Sequence, residues 1–308
     1  MPCGGYVGLY FKARQRGATT LTYACLALPP VIPLKMDVLI DTPEYKELLE
    51  SIRLAYGYDF TDYAESSVKR RINNFMGSRG LASFDQLGKV LLNDESIFEQ
   101  FVQDLSITVT EMFRDPSFYK SVREKVLQRL ATYPVIRIWL AGCATGEEAY
   151  SMAILLKEEG LLERTIIYAT DINQRSLETA RHGIYSLAGM TTHTHNYLHA
   201  GGKNNFSEYY TAKYNSVLFA KSLSQNILFS PHNLATDKSF NEFQLIICRN
   251  VLIYFNQHLQ DKVINLFYDS LCPFGFVGLG AKESLLFSSQ KENFTEIDKK
   301  EKIYMRAK

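Results

Sequence analysis

The 308-residue sequence lacks most of the features that announce a function on their own. Cysteine is scarce: Cys3, Cys25, Cys143, Cys248 and Cys272 are scattered and odd in number. No two of them have metal-ligand spacing, which excludes a disulfide scaffold or a zinc module and reads as a reduced, cytoplasmic protein. No uninterrupted apolar run approaches the roughly 20 residues of a membrane helix, so direct membrane insertion is excluded. Neither sign of charge dominates. Lys and Arg number 34 against 33 Asp and Glu, a formal net charge of +1. Without a basic stripe there is no field to hold nucleic acid. What the chain does have is core: 46% of its residues are hydrophobic and 13% aromatic, enough for one large domain or two smaller ones.

Residues 1–35 stand apart. Arg14 and Arg16 precede an apolar run ending in two prolines, a faint likeness to a signal peptide. Lys12, the prolines and the lack of a clean small-residue cleavage site argue against it, and the segment reads as an unstructured leader or the product of an upstream start codon. Residues 36–105 read as a small helical domain. Asp41-Thr-Pro43 opens a first helix with an apolar face of Tyr45, Leu48, Leu49, Ile52 and Ala55. A second carries Val68, Ile72 and Phe75 opposite Lys69, Arg70 and Arg71 and ends near Gly77. A third runs from Ser83 to Leu92, and a fourth starts at Asn93 and passes through Phe98, Phe101 and Leu105. The Lys69–Arg71 cluster is either a solvated helix face or a patch that steers an acidic partner rather than a cofactor.

From residue 106 to 308 strands and helices alternate. A helix, Ser117 to Leu130, leads to an apolar strand, Val135 to Leu140. A turn of small residues, Ala141-Gly-Cys-Ala-Thr-Gly146, then opens a helix ending at Gly160. Further strands fall at Arg164–Thr170, Phe243–Cys248 and Phe276–Gly280, with short β-like runs at 294–297 and 303–305. Further helices fall at Ser176–His182 and Gln257–Leu271, the latter closed by Cys272-Pro-Phe-Gly275. This rhythm predicts a mostly parallel, doubly wound α/β sheet. Residues 186–228 break it and read as an insertion or small subdomain. His193, His195 and His199 lie there in what reads as a loop, with no Cys or carboxylate to complete a metal site.

Strand, small-residue turn, helix is the shape of a nucleotide-type cofactor site, where the backbone approaches the ligand closely. The spacing Gly142-x-Ala144-x-Gly146 alone fits any tight βα turn. Glu147 and Glu148 add information, because acids at a helix start repel a diphosphate and favour a ligand with a cationic group. Asp171, at the end of the second strand, sits where a carboxylate accepts both ribose hydroxyls; the alternative is a helix cap. Arg249, Asn250 and Tyr254 follow the third strand, beyond whose carboxyl end ligands bind in open sheets. Thr108, Thr110 and Arg114 precede the sheet; Arg114 suits carboxylate recognition, or an inter-domain ion pair.

Taken together, the ordered segments Thr-Val-Thr-Glu-Met-Phe-Arg114, Ala-Gly-Cys-Ala-Thr-Gly-Glu-Glu-Ala-Tyr150, Ala-Thr-Asp171-Ile-Asn, Gly183-Ile-Tyr185, His232-Asn-Leu234 and Cys-Arg-Asn-Val-Leu-Ile-Tyr-Phe255 closely resemble the CheR family. Its members are S-adenosylmethionine-dependent protein-glutamate O-methyltransferases of chemotaxis systems. The resemblance covers about residues 37–308. It implies an N-terminal helical domain, a Rossmann-like methyltransferase domain and a small antiparallel β-subdomain inserted after Tyr185. By motif, Thr108, Thr110 and Arg114 would line the site, with Gly142 in its turn. Glu148, with Glu147, would take the ammonium of S-adenosylmethionine, Asp171 with Ile172 beside it the ribose, and Asn233 and Leu234 the adenine. Arg249 and Asn250 would close the pocket, while Arg114 and Tyr254 face the reacting carboxylate. The product would be S-adenosylhomocysteine. The partner would be an acidic, glutamate-bearing segment of a receptor or other signalling protein, and the enzyme a monomer. Two other readings stay open: a methyltransferase with a different substrate, and a cofactor-binding signalling module without catalysis. The first 35 residues have no counterpart in the family, and the insertion, residues 186–228, matches it poorly, so receptor-tail tethering through the insertion is left unassigned.

Overall fold

In the computed structural model the described residues are 43–106 and 110–307. The leader, residues 1–35, and Thr108 lie outside them. Four helices come first: α1 (Pro43–Tyr56), α2 (Glu65–Arg79), α3 (Phe84–Asn93) and α4 (Glu95–Leu105). The Ser83 hydroxyl accepts from the Gln86 amide and caps α3, and Asp94 accepts from Ser96 and Ile97 and caps α4, each satisfying amides that the first turn leaves unpaired. Asn93, expected to open the fourth helix, instead ends the third. Helix α2 runs past Gly77 and stops at Gly80, whose φ of 65° is a left-handed cap. The apolar faces meet in one cluster that includes Ile52, Ile72, Phe75, Leu87 and Phe101.

A helix starting at Pro116–Ser121 continues through a π turn at Val122–Val126 to Leu127–Leu130; it is α5. The sheet follows, with β1 (Ile136–Ala141), β2 (Thr165–Asp171), β6 (Ile227–Pro231), β7 (Phe243–Cys248), β8 (Leu271–Leu279), β9 (Phe294–Asp298) and β10 (Ile303–Arg306). Their order is β6-β2-β1-β7-β8-β10-β9. The first five pair in parallel, and β10 and β9 add antiparallel hairpin strands. Helices α6 (Glu147–Glu158), α7 (Gln174–His182) and α9 (Gln257–Ser270) complete the crossovers. Because β1 is flanked by β2 on one side and β7 on the other, the winding direction reverses beside it. The carboxyl ends of these three strands open a crevice there, the usual ligand position in such sheets. The lone tryptophan, Trp139, is fully buried beneath it, its indole N–H donated to the Thr170 hydroxyl at 2.8 Å.

Three further expectations change. Cys272–Gly275 do not close α9 but lie within β8. Phe243 pairs with Leu271 while Leu245 pairs with Phe276, so the extra residues bulge out of the ladder. The second change is at the end of the irregular stretch, where Ile227–Pro231 is an outer strand of the main sheet. The insertion therefore ends before residue 227 rather than at 228. Its small antiparallel sheet orders β3 (Ile184–Ser186), β5 (Ser216–Phe219) and β4 (Tyr210–Lys213), so it begins before residue 186. The third is the histidine segment, which is helical: α8, Met190–His199. Thr and His are poor helix formers, and the helix is held instead by burial of Met190, Asn196 and Tyr197.

Candidate active site

The turn after β1 is shaped by its neighbours. The amides of Gly142 and Cys143 both donate to the Thr170 carbonyl, at 2.8 and 2.9 Å, folding the turn over the end of β2. Gly142 has φ 81°, and a Cβ there would lie 2.4 Å from the Val251 side chain. Only glycine lets the two loops approach so closely. Asp171 is gripped from both sides: Oδ2 accepts from the Ala144 amide and Oδ1 from the Asn173 amide, each at 2.8 Å. Burial raises its pKa, and the backbone donors oppose that rise. The capping role at α7 belongs to Asn173, whose side chain accepts from Ser176. Asp171 is thus a pre-aimed carboxylate with acceptor capacity left, since an ionised carboxylate can take about four hydrogen bonds.

The two glutamates at the start of α6 part company. Glu147 accepts from the Thr145 hydroxyl at 2.6 Å and is not part of the cleft wall. Glu148 lines the cleft. Its Oε2 is 3.7 Å from the guanidinium of Arg249. Burial pushes the Glu148 carboxyl up to about 7, with Arg249 and Arg114 pulling it down and Glu283 and Asp115 pushing it up. Arg249 is itself deeply buried. It donates to the Arg114 carbonyl at 3.0 Å, pairs with Asp115 and lies over the Phe118 ring at 4.2 Å.

Arg114 arrives on a strap with unusual backbone, Phe113 at φ 51° and Asp115 at φ 54°. The strap is anchored by the inserted subdomain: the Met112 amide donates to His193 Nδ1 at 3.3 Å and the Met112 carbonyl accepts from Asn196 at 3.1 Å. The Phe113 amide donates to Ser151 at 2.9 Å. On the other side Tyr254 ends a short 3-10 turn, Leu252–Tyr254. Burial raises the pKa of its phenol, and nearby Arg71 and Arg114 lower it, so the hydroxyl keeps its proton at neutral pH and can donate.

The crevice gathers Thr110, Arg114, Gly142, Glu148, Asp171, Ile172, Asn233, Leu234, Arg249, Asn250 and Tyr254. Glu147 is the one described candidate left out. The sequence reading also missed a wall. Tyr63, Ser67, Val68 and Arg71 of the helical part line the same cleft. The two parts are sewn together beside Tyr254, with the Ala64 amide on the Tyr254 carbonyl at 2.7 Å and the Asn256 amide on the Asp62 carbonyl at 2.9 Å. The basic cluster therefore splits. Lys69 pairs with Glu65 and lies over the Tyr45 ring, Arg70 is exposed, and Arg71 turns into the cleft. Arg71 donates to the Leu105 carbonyl at 2.8 Å and lies 5.7 Å from the Tyr254 ring centre. The end of α4 and the Tyr254 turn lie on that side, so the face opposite the apolar stripe is not all solvent.

The crevice opens to solvent on one side and is walled by both apolar and polar side chains, the usual make-up of a small-molecule site. Its chemistry fits S-adenosylmethionine group by group. A fixed carboxylate, Asp171, suits a diol, and Ile172 and Leu234 offer apolar contact to a base. Glu148, buried with its nearest cation 3.7 Å away, suits an ammonium.

The chain is similar to known proteins over most of its length. Residues 108–303 match the family described as CheR methyltransferase, SAM binding domain, and residues 43–106 match CheR methyltransferase, all-alpha domain. The chain is 49% identical to Cher3 of Pseudomonas putida over 86% of its own length and 97% of that protein. It is 28% identical to the chemotaxis protein methyltransferase of Listeria monocytogenes, covering 79% and 90% of the two chains. It is 29% identical to an uncharacterized 104.1 kDa protein of Rhodobacter capsulatus, where the match covers 83% of this chain but 27% of the longer one.

Proposed function

We propose, since this chain belongs to the CheR methyltransferase family, that it methylates glutamate side-chain carboxylates on a methyl-accepting signalling protein, giving glutamate methyl esters. The observation that carries the choice of acceptor is the grouping of Arg71, Arg114 and the protonated Tyr254 on one side of the cleft. Two guanidinium groups and a phenol suit an anionic acceptor. A neutral amine or hydroxyl would instead call for a base to remove its proton.

When bound, S-adenosylmethionine supplies an activated methyl group and the sulfide that leaves. The chain's residues do the rest. Asp171 holds the ribose hydroxyls, Glu148 the ammonium, and Asn233 and Leu234 flank the base. A glutamate with pKa about 4.3 is already ionised at neutral pH, so no general base is needed. Arg114 and Tyr254 orient its oxygen for in-line attack. The hold must be moderate, because pairing the carboxylate too tightly stabilises the ground state. The helical part walls the cleft beside Tyr254 with Tyr63, Ser67, Val68 and Arg71.

The test is transfer of labelled methyl groups into proteins of the source cell. Label that is released by base from one signalling protein supports the reading. Base-stable label, or label in small molecules, overturns it. Cofactor binding without any transfer would favour a silent sensing module.

Cofactor affinity should also depend on pH through Glu148. Its carboxyl is pushed up to about 7 in the free protein, and only the ionised form pairs with an ammonium. Binding therefore releases a proton, and affinity falls as pH drops through 7, by up to about tenfold per unit. Above about pH 8 the ligand's own α-amino group begins to lose its charge, so affinity falls again. Calorimetry across pH 5.5–9 measures this, and Glu148→Gln should flatten the acid limb. A dissociation constant that holds steady from pH 5.5 to 7.5 would remove Glu148 as the ammonium partner.

A further inference from the structure

Glu283 lies outside every segment that the sequence reading singled out, and it is 4% exposed. Its carboxylate accepts four backbone N–H groups. Oε2 takes Gly280 at 2.6 Å and Asn250 at 3.1 Å, and Oε1 takes Val251 at 2.8 Å and Ile253 at 3.3 Å. Among the described residues no Lys or Arg pairs with it. A buried carboxylate held by amides alone is expensive to desolvate, so its use on three amides of one loop asks for a reason.

The loop runs from Arg249 to Phe255. Asn250 sits at φ 60°, a left-handed conformation that few residues other than glycine and asparagine adopt. Three of its amides, those of Asn250, Val251 and Ile253, end on Glu283. Gly280 makes room for this, since a Cβ there would lie 2.6 Å from Glu283 Oε2 and 2.8 Å from the Asn250 amide. Beyond the 3-10 turn the chain is pinned again, by the Ala64 amide on the Tyr254 carbonyl. Tyr254 is therefore suspended between two anchors, the carboxylate of Glu283 before it and the helical part after it.

We infer that Glu283 is a positioning residue for methyl transfer: it fixes the Asn250–Tyr254 loop and so sets the Tyr254 hydroxyl against the incoming carboxylate. This rests on the glutamate-methylating reading above. A glutamine has nearly the same shape, but it offers one acceptor oxygen where the loop needs two and turns an N–H₂ toward amide donors. An aspartate keeps the charge and shortens the reach. In both variants Tyr254 should lose its placement while the cofactor's own partners, Asp171 and Glu148, stay where they are.

The full chain carrying Glu283→Gln, and separately Glu283→Asp, tests this by three measurements. Amide exchange should speed up at Asn250, Val251 and Ile253. The kcat for methyl transfer should fall about tenfold or more, as small misplacements at a reacting centre do, while cofactor Kd at pH 8 changes by less than kcat, because Asn250 borders the pocket but Asp171 and Glu148 keep their places. Adding Tyr254→Phe to Glu283→Gln should cost little further, because the hydroxyl is already out of place. One more signature separates charge from shape. Glu283 pushes the Glu148 carboxyl upward, so Glu283→Gln should move the acid limb of cofactor binding to lower pH while Glu283→Asp leaves it near its place. Arg249, Arg114 and Asp115, the other charges acting on Glu148, are unaltered in both variants. Wild-type kcat in a folded Glu283→Gln protein, or full additivity with Tyr254→Phe, would overturn the inference. If the wild-type chain transfers no methyl to carboxylates, the functional reading fails on its own. The exchange data still decide the anchoring: unchanged exchange in the loop would refute it.

Discussion

Asp171→Ala is expected to weaken S-adenosylmethionine binding by roughly ten- to a hundredfold in a protein that remains folded. Charge-assisted hydrogen bonds are worth about 1.5–3 kcal/mol, and the ribose offers two hydroxyls to this one carboxylate. The fold should survive because Asp171 bears little structural duty. Asn173, not Asp171, caps α7, and β2 keeps its ladders with β1 and β6. The amides of Ala144 and Asn173 lose their acceptor, but at the cleft wall water can take its place. Asp171→Asn offers a graded control, keeping one oxygen as acceptor and losing the charge. Calorimetry with S-adenosylhomocysteine reads the effect without turnover. Native affinity in folded Asp171→Ala would take the ribose away from this residue.

The second large effect belongs to the chemical step. Tyr254→Phe removes one oxygen and keeps the ring, so packing against Arg71 is retained. Arg114→Lys keeps the charge and loses the planar fork that holds a carboxylate at two points. Each should lower kcat roughly ten- to a hundredfold, the order expected when a reacting atom is misaligned by about an ångström. Cofactor Kd should hardly move in Tyr254→Phe. It should shift modestly in Arg114→Lys, because Arg114 acts on Glu148 through space. If both residues grip one acceptor carboxylate, the double variant loses less than the product of the two. Full activity in Tyr254→Phe, or strictly additive losses, would place the two side chains in separate tasks.

The crevice was legible in the sequence because its parts are local. An unbroken apolar strand, a turn of small residues and a helix opening with acids form one contiguous stretch, and Asp171 follows at a distance set by one βα unit. What remained hidden depends on neighbours that a one-dimensional reading does not supply. Helix α2 has an apolar stripe and a basic face, and amphipathic patterning sends the whole basic face to water. Arg71 instead meets Tyr254 because a second domain lies on that side. Ile227–Pro231 is short, half exposed and ends in proline, so its membership of the sheet is set by β2 beside it. Glu283 is one acid in a loop tail, and only the folded chain brings the amides of residues 250–253 to it. Glu147 and Glu148 are adjacent and identical in kind. A rotation of 100° about the helix axis sends one to Thr145 and the other to the cleft.

The grip of α8 on Met112 limits what can be exchanged in this protein. An insertion between two strands of a regular fold invites treatment as a detachable cassette, to be deleted or swapped for that of a relative. Here the insert supplies the hydrogen-bond partners for both the amide and the carbonyl of a residue two positions before Arg114. A chimera that imports a foreign insert without a matching His193 and Asn196 would leave the Met112 N–H and C=O unpaired, and the defect would surface as poor catalysis rather than as lost recognition. Grafting should therefore carry the strap, residues 110–115, together with the insert as one heritable unit.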